Sequence, residues 1–427
     1  VLGRDGLKPV PFALRVFVAA GPDGYVVMPG GLARLCPRHA GQAFDFGRFG
    51  DGKDTWVLSD ATARAEGAHR RRSGAVELRR TARELPSRTA DNLFWLGRYA
   101  ERAEGVMRQV RGAVLRLTDD DRPSEDLLAI GRVLGPTLAK ASVAPPEAAE
   151  IAAGPRRYLE RQLGDLVFDA DRAYGLRQTL RDLARTASLA RDRLSSDSWR
   201  ILRGLQTEDF ARRPVFATPG LRLQIAGLLG ALDHGIQRLA AFSGMGMENM
   251  TRSPGWRFLD MGRRIERSIQ TVALFEGLVG ADEPEDDGSL FLVLDIADSF
   301  MTYRSRYLLT PQLAPVLDLL MLDESNPRSV AFQVAALSEH LDRLSRAAPQ
   351  PVRSSEQRIV IGVLSDLQQA DLSAMCRRDR AGERPGLRAL FDRIATGLPQ
   401  VSVGITRTYF SHADDMRTVS ATSGQPG

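Results

Sequence analysis

Glycine, arginine and glutamate recur with identical spacing in two separate segments of the chain. Residues 96–102 read LGRYAER, and residues 261–267, which come 165 positions later, read MGRRIER. On a helix, residues three apart lie on one side, so Arg98 and Glu101 can pair with each other or with a neighbouring element. Such charges form either a solvated ladder of salt bridges or a site that holds a charged ligand. Because the repeat keeps all three residue types in register, it favours a role beyond solvation.

Each copy also carries an apolar stripe with the period of a helix that faces a protein core. The first stripe consists of Leu93, Leu96, Ala100, Ala103, Met107, Val110 and Val114. The second consists of Phe258, Met261, Ile265, Ser268, Val272 and Phe275. Gly97 and Gly262 lie beside the stripes, and a glycine inside a helix costs about 1 kcal/mol relative to alanine, so it usually marks a close backbone approach. The pattern predicts two equivalent helices, packed about a pseudo-twofold axis, whose Gly, Arg and Glu sides face each other.

The predicted contact would bring the arginines and glutamates of both copies into one charged network, which is either structural or a ligand site. The candidate substrate-binding residues are Arg98, Glu101, Arg102, Glu248, Arg263, Glu266, Arg267, Asp323, Glu324 and Asn326. The turn that holds the last three also has a structural interpretation, in which Asn326 or Ser325 caps a helix that begins at Pro327.

No spacing of side chains indicates a nucleophile with its base, so the sequence identifies no catalytic residue. The five histidines are scattered without the spacing of metal ligands. Glu248 and Glu324 could join Glu101 and Glu266 in an acidic cluster, as carboxylates on facing helices do in di-metal bundles. Because the Glu-x-x-His pairs of such sites are missing, we predict no metal site and no cofactor in this chain.

The composition is typical of a globular protein with a large core, since 43% of the 427 residues are apolar. The formal net charge is +5, but 58 basic and 53 acidic residues are interleaved along the chain, which argues against a nucleic-acid partner. No apolar stretch approaches the length of a membrane span, so we predict no membrane association. The chain has only two cysteines, Cys36 and Cys376, which fits a reducing compartment and predicts a cytoplasmic location.

The first part of the chain is predicted to be a small β-containing head. Residues 12–35 read as a β-hairpin, and residues 55–58 as a further strand. Within the hairpin, Gly30 and Gly31 are predicted to form a loop that could bring backbone N–H groups and Arg34 toward an anion, or that simply ends a strand.

Residues 61–84 are polar and aperiodic and are predicted to be a linker. From residue 85 to about residue 412 the patterns are helical, and residues 413–427 are predicted to be a frayed tail. The predicted helices include residues 174–194, 221–242, 291–307, 330–344, 355–375 and 385–394. The predicted fold class is therefore mainly all-α, with two quasi-repeated helical halves.

Four stretches of the helical region resemble motifs of the alpha-E domain, a bacterial all-helical family rich in glutamate motifs. They are LPSRTADNLFWLGRYAERAE at residues 85–104, MENMTR and WRFL at residues 247–259, DSFMTYR at residues 298–304 and LDESNPRS at residues 322–329. The resemblance implies an alpha-E domain over residues 85–412.

The head is similar to the end of a circularly permuted ATP-grasp domain, through PFALRVF at residues 11–17, VMPGGLAR at 27–34 and KDTWVL at 53–58. This resemblance implies that residues 1–60 end such a domain and that the rest of the ligase precedes Val1. ATP and Mg²⁺ would then bind to the full-length protein and not to this chain. Arg15 and Arg34 would contact phosphate or substrate, although a strand-edge salt bridge explains Arg15 equally well.

ATP-grasp enzymes join a carboxylate to an amine or thiol through an acylphosphate. The resemblance therefore implies that the full-length protein is an ATP-dependent carboxylate–amine ligase that forms amide or peptide bonds. The helical domain would be its partner in cis and would handle a carboxylate- or amine-bearing peptide, with a transglutaminase-like peptidase as a further implied partner. The alternative is a non-catalytic structural or interaction module with an inert charged core.

Overall fold

The computed structural model describes residues 2–3, 6–7, 12–21, 24–35, 52–55, 85–118, 123–141, 154–205, 221–279, 287–307, 310–347 and 352–410. The chain divides into two compact units, residues 1–82 and residues 83–427. The linker predicted at residues 61–84 and the tail predicted at residues 413–427 lie outside the described residues.

The N-terminal unit consists of antiparallel strands. Strands β1 (Leu2–Gly3) and β2 (Gly6–Leu7) pair with each other, while β3 (Phe12–Gly21), β4 (Gly24–Leu35) and β5 (Gly52–Thr55) form a sheet with β4 in the middle. The predicted hairpin is confirmed by the pairing of β3 with β4. The next strand ends at Thr55, and the remaining residues of its predicted span, 56–58, lie outside the described residues.

The loop predicted at Gly30 and Gly31 is wrong, because both glycines lie inside β4. Gly31 pairs with Val16 on one side and with Thr55 on the other. A Cβ atom at Gly31 would lie 2.6 Å from the carbonyl oxygen of Arg15. The glycine therefore allows close strand packing, and its backbone belongs to the sheet.

The second unit is helical, which confirms the mainly all-α fold class. Its helices are α1 (Ser87–Thr118), α2 (Pro123–Lys140), α3 (Pro155–Phe168), α4 (Leu176–Leu189), α5 (Ser196–Arg203), α6 (Leu221–Asn249), α7 (Pro254–Glu276), α8 (Asp287–Ile296), α9 (Phe300–Tyr307), α10 (Leu313–Leu317), α11 (Val330–Ala347), α12 (Ser355–Gln368), α13 (Leu372–Met375) and α14 (Pro385–Ile405). A 3₁₀ turn follows α4 at Arg191–Arg193, and π-helical segments follow α10 and α14 at Asp318–Leu322 and Thr406–Phe410.

Several predicted helices have different limits in the structure. Those predicted at residues 174–194, 291–307 and 355–375 are each interrupted, and the one predicted at residues 385–394 continues to Ile405. The second interruption lies at Asp298, which has a left-handed backbone with φ of 53°. The third lies at Asp371, whose side chain accepts a hydrogen bond from the backbone N–H of Ala374 and so caps a new helix. Apolar periodicity continues through both interruptions and therefore does not reveal them.

The two helices of the repeat, α1 and α7, pack against each other at the centre of the helical unit. α1 also contacts α4 and α6, and α7 also contacts α11 and α14. Their predicted apolar stripes are buried; Leu96, Met107, Met261 and Ile265 are each 0% exposed. The repeated phrase thus belongs to two helices that the other helices enclose.

Candidate functional site

The backbones of α1 and α7 meet at the two glycines of the repeat. A Cβ atom at Gly97 would lie 2.1 Å from the carbonyl oxygen of Leu259, and one at Gly262 would lie 2.1 Å from the carbonyl oxygen of Phe94. Leu259 and Phe94 each precede a repeat glycine by three residues. The two contacts are therefore equivalent by the predicted twofold relation, and only glycine allows them.

Across this crossing, each glutamate pairs with the arginines of the opposite helix. Glu266 on α7 accepts hydrogen bonds from Arg98 and from Arg102, whose Nε lies 2.7 Å from the carboxylate. Glu101 on α1 accepts a hydrogen bond from Arg267, and the Nε of Arg263 lies 3.5 Å from its carboxylate. We call these six residues the charged seam.

The glutamates of the seam are buried and remain ionised. Burial opposes the charge of Glu266, but Arg98 and Arg102 outweigh it and lower the pKa of this carboxyl to about 2. Burial likewise opposes the charge of Glu101, and Arg267 with Arg263 lowers its pKa below the usual value. Two arginines for each glutamate leave the seam with surplus positive charge, which a structural salt bridge alone does not require.

The twofold relation ends on one flank of α7, at Asp260. The carboxylate of Asp260 lies 2.9 Å from Nε2 of His340 and 3.0 Å from Nε of Arg264. Nη1 of Arg257 lies 3.2 Å from Nδ1 of His340. Because arginine only donates, Nδ1 accepts and the Nε2–H group donates to Asp260. The other oxygen of Asp260 lies 3.6 Å from Nη1 of Arg263, so this carboxylate also neutralises part of the seam's surplus arginine charge.

A cavity of about 40 Å³ opens beside the Glu101–Arg267 pair. The charged and amide side chains that line it are Glu101, Glu104, Arg108, Gln109, Arg267, Gln270 and Arg328, and we call it the arginine pocket. Arg108 bonds to Glu104 at 2.9 Å, and Arg328 lies 3.4 Å from the same carboxylate. The side-chain oxygen of Gln109 is buried there without a hydrogen-bond partner among the described residues.

A glycine also shapes this pocket. A Cβ atom at Gly105 would lie 1.7 Å from the side-chain oxygen of Gln270. Because Gly105 has no side chain, the Gln270 amide can occupy the space beside it. Any larger residue at this position would displace that amide.

Arg328 reaches the pocket from the loop between the π-helical segment and α11. Asn326 holds this loop by donating to the carbonyl of Leu319 at 2.8 Å and accepting from the backbone N–H of Arg328 at 3.0 Å. Arg267 donates to the carbonyl of Pro327 at 3.2 Å, which ties the loop to the seam.

The predicted cap of the following helix is wrong. Helix α11 begins at Val330, and the hydroxyl of Ser329 accepts from the backbone N–H of Phe332 at 3.1 Å. Ser329 is therefore the cap, because the side chain of Asn326 is engaged within the loop.

The structure separates the predicted candidates into groups. The charged seam contains Arg98, Glu101, Arg102, Arg263, Glu266 and Arg267. Asp323 and Asn326 lie in the loop that carries Arg328. Glu324 is exposed and accepts a hydrogen bond from Gln368 at 2.7 Å. Glu248 is exposed on α6 and belongs neither to the charged seam nor to the lining of the arginine pocket.

The two candidates from the head belong to the N-terminal unit. The side chain of Arg15 is exposed and its guanidinium lies 5.6 Å from the ring centre of Phe17. Arg34 pairs through its backbone with Ala13, and its side chain lies outside what the structure describes.

Sequence reasoning missed several pocket residues. Glu104 and Arg108 continue the side of α1 that carries Glu101, at steps of three and four residues, so extending the repeat by two turns would have found them. Arg328 stands inside the LDESNPRS motif, but nothing local indicates which helix it meets.

In the described part of the chain, no group of three or more histidine, cysteine, aspartate and glutamate side chains could hold a metal ion. Among the same residues, no helix is both long and apolar enough to cross a membrane.

These features define a class: an all-helical domain built around two glycine-crossed helices that exchange arginine–glutamate ion pairs. Residues 85–410 match the Alpha-E family, described as a predicted alpha-helical domain with a conserved ER motif, and the chain belongs to this family. Glu-Arg pairs occur at the centre of both repeat helices, as Glu101-Arg102 and Glu266-Arg267, where each supplies ion pairs of the seam.

Relatives include the uncharacterized proteins Rv2567 of Mycobacterium tuberculosis and Mb2597 of Mycobacterium bovis, each 29% identical over 365 residues. Each alignment covers 81% of this chain and 40% of the relative. The chain therefore spans about two fifths of the length of the curated relatives it matches. No solved structure matches it.

Proposed function

We propose that this domain binds the carboxylate of a peptide-like substrate in the arginine pocket, as the helical partner of an ATP-grasp amide ligase. The observation that carries the proposal is the convergence of Arg108, Arg267 and Arg328 on one cavity, whose lining also includes Gln109, a residue with a buried and unpartnered amide oxygen. Guanidinium groups suit a carboxylate because their N–H donors match its two oxygens in pairs.

Positive charge is crowded around Arg328. Burial, together with the nearby Arg267 and Arg108, lowers the pKa of Arg328, so the surroundings disfavour one more cation. The contacts of Arg328 with acidic groups are long, at 3.4 Å to Glu104 and 3.7 Å to Asp298. A bound carboxylate would reduce the repulsion between Arg328 and the neighbouring arginines. It would also accept hydrogen bonds from the guanidinium N–H groups that make only these long contacts.

The acceptors of the pocket favour a carboxylate that has an N–H group beside it. A buried acceptor without a partner is unfavourable by about 1–3 kcal/mol, and the side-chain oxygen of Gln109 is such an acceptor. An amide or amine N–H of the substrate would pair with it while the carboxylate meets the arginines. The end of a peptide carries both groups next to each other.

The size of the pocket limits what enters it. A buried water needs about 10–15 Å³ of cavity space, so a cavity of about 40 Å³ has room for about three waters. That space accommodates a carboxylate group and not a whole peptide, so the rest of the substrate must lie outside the pocket.

The structural alternative is favoured by the inner part of the seam. Glu266 has both oxygens engaged by Arg98 and Arg102, and Arg98 also donates to Ser402 at 3.0 Å. This part joins helices, and both oxygens of its carboxylate are already engaged. Binding is therefore assigned to the pocket end, where donors and acceptors remain incompletely used.

The ligase partnership rests on the resemblance of the head to an ATP-grasp domain and on the greater length of the relatives. In this proposal ATP and Mg²⁺ bind to the ATP-grasp domain in cis, where Arg15 and Arg34 contact phosphate or substrate. A transglutaminase-like peptidase acts on the same peptides, nucleic acid and membrane are not partners, and the reaction takes place in the cytoplasm. Amine-dependent ATP hydrolysis by the full-length protein would support the partnership, and ATP hydrolysis indifferent to amines and carboxylates would contradict it.

The pocket itself is tested by calorimetric binding of trialanine to this chain. We expect Arg328→Gln to weaken binding about tenfold, since it removes one charge-assisted hydrogen bond worth about 1.5 kcal/mol. Arg353→Gln, which changes an exposed arginine outside the pocket, is the matched control and should bind as the natural chain does. Equal affinities in all three proteins, or no binding by any, would reject the pocket and leave the structural module.

A further inference from the structure

A cleft of about 680 Å³ lies next to the arginine pocket, and Arg108 lines both. Its other lining residues come from α1, α2, α6, α8 and α9 and, at Asp298, from the turn between α8 and α9. Pockets of about 300–1,000 Å³ hold small organic ligands, so this cleft has room for the part of a substrate that the arginine pocket excludes.

Asp298 stands where the two spaces meet. It lines the cleft, and its carboxylate lies 3.3 Å from Nη1 of Arg108 and 3.7 Å from Nη2 of Arg328. One carboxylate of the protein thus contacts two of the three arginines to which we assign the substrate carboxylate. Both contacts are longer than the 2.7 Å and 2.9 Å ion pairs of Arg102 and Arg108 with their glutamates.

The backbone at Asp298 normally favours a different residue. The N–H of Ser299 bonds to the carbonyl of Leu294 at 2.9 Å and that of Asp298 to the carbonyl of Asp295 at 3.0 Å, which is the Schellman pattern at a helix end. The left-handed position of this motif is usually glycine, but here an aspartate occupies it with φ of 53°. The backbone alone would favour glycine at this position, so the aspartate adds a carboxylate where a side chain is usually absent.

This carboxylate is weakly held. Its side chain is 63% exposed, and ion pairs of exposed groups contribute little because water and salt screen them. The surrounding acids of the cleft are better satisfied, since Asp233 pairs with Arg111 and Asp126 with Arg116, each at 2.9 Å.

The remaining cleft surface suits a peptide backbone and small side chains. Leu115 and Met301 are 51% and 73% exposed and provide apolar contacts. Asp295 is exposed and meets its nearest arginine, Arg116, only at 4.0 Å, so its carboxylate can accept from a peptide N–H. Apolar contacts and acceptors thus line the cleft, and Asp298 joins the cleft to Arg108 and Arg328 of the arginine pocket.

We propose that the pocket and the cleft form one binding site for a peptide with a free C-terminus. The terminal carboxylate displaces the Asp298 carboxylate from Arg108 and Arg328, and the preceding residues lie along the cleft. Asp298 thus occupies the position of the ligand in the empty site and selects for a carboxylate able to replace it. This inference rests on the proposed function of the arginine pocket. It adds the direction in which the peptide lies in the site and the protein group that the peptide carboxylate displaces.

The test compares Asp298→Asn with the natural chain by calorimetry, using acetate, trialanine and the C-terminal amide of trialanine as probes. Asparagine tolerates the left-handed backbone and keeps the shape of the side chain but removes its charge. Without the competing carboxylate, we expect acetate and trialanine to bind about five- to tenfold tighter, because apparent affinity rises with the fraction of open sites. The trialanine amide should gain nothing. Asp197→Asn, at an exposed aspartate of α5, is the matched control and should change no affinity.

A second variant tests the cleft. Met301→Gln should weaken trialanine severalfold and leave acetate unchanged, because acetate does not extend beyond the arginines. Unchanged or weaker binding of trialanine to Asp298→Asn would overturn the displacement, and equal effects of Met301→Gln on both probes would overturn the path along the cleft. The proposed function survives either result if Arg328→Gln still weakens binding. Failure of every probe to bind to any variant would reject the pocket and this inference together.

Discussion

Glu101 and Glu266 keep their charge in the interior because each faces two arginines of the opposite helix. Removing one partner of such a group leaves the others buried and unpaired, which is typically destabilising by about 3–5 kcal/mol. Arg98 and Arg102 would be left in this state by the loss of Glu266. The ion pairs of the seam therefore affect the free energy of unfolding mainly when one partner is removed and the others stay buried without it.

The free energy of unfolding should depend on pH through Glu266. Its pKa is about 2 in the folded protein and 4.5 ordinarily, so its contribution is fully present above pH 4.5 and is lost as the pH falls through 2. The difference corresponds to about 3 kcal/mol. In urea titrations between pH 6 and pH 2, the stability gap between the natural chain and Glu266→Gln should therefore narrow by about that amount. The exposed Glu339→Gln is the control, and a gap that does not vary with pH would contradict the assignment.

At the scale of elements, the crossing of α1 and α7 depends on the absence of two side chains. Gly97 and Gly262 each face a carbonyl oxygen that a Cβ atom would approach to 2.1 Å. These carbonyl oxygens belong to the backbone of the facing helix, which cannot move away from a new Cβ atom as the end of a flexible side chain can. Any substitution must therefore separate the helices and lengthen the ion pairs that flank the crossing.

Gly97→Ala should lower the free energy of unfolding by about 1–3 kcal/mol, because overpacking exceeds the roughly 1 kcal/mol that alanine gains in helix propensity. Gly131→Ala is the matched control, since a Cβ atom there meets nothing within 4 Å inside α2. It should be neutral or stabilising in the same chemical denaturation experiment. If Gly97→Ala stabilised the protein as Gly131→Ala does, the close approach would be refuted.

At the scale of the whole molecule, the buried apolar core of the described residues lies entirely between Ala90 and Ile405. The seam, the arginine pocket and the cleft also lie within residues 83–427. None of them requires a residue of the first unit. Binding and folding of the helical unit are thus separable from whatever the head contributes to a ligase.

A chain limited to residues 83–427 should therefore keep a cooperative thermal transition within a few degrees of that of the 427-residue chain. Its affinity for trialanine should also be the same. Circular dichroism and calorimetry on the two chains would measure both. Loss of the transition would show that the core depends on the head, and loss of binding alone would place part of the site there.

Much of the fold follows from local patterns. The apolar stripes of α1 and α7 predict two core helices, because burial of a helix face depends on spacing within one segment. The glycines in register predict that these helices touch. The limits of the helices were less predictable at Asp298 and Asp371. Asp298 interrupts a helix by its left-handed backbone, and Asp371 does so by capping the next helix. Neither changes the period of the apolar residues.

Helical periodicity and the repeat predict that Arg98, Glu101, Arg263 and Glu266 lie on two equivalent helix faces that meet. The packing of distant segments pairs Arg98 with Glu266 and not with Glu101 on its own helix. The same packing brings Asp298 to both Arg108 and Arg328 at the end of the seam. Helical spacing specifies the side on which a residue lies, but its partner depends on how segments distant in sequence pack. The charges that could bind a ligand are brought together by that packing.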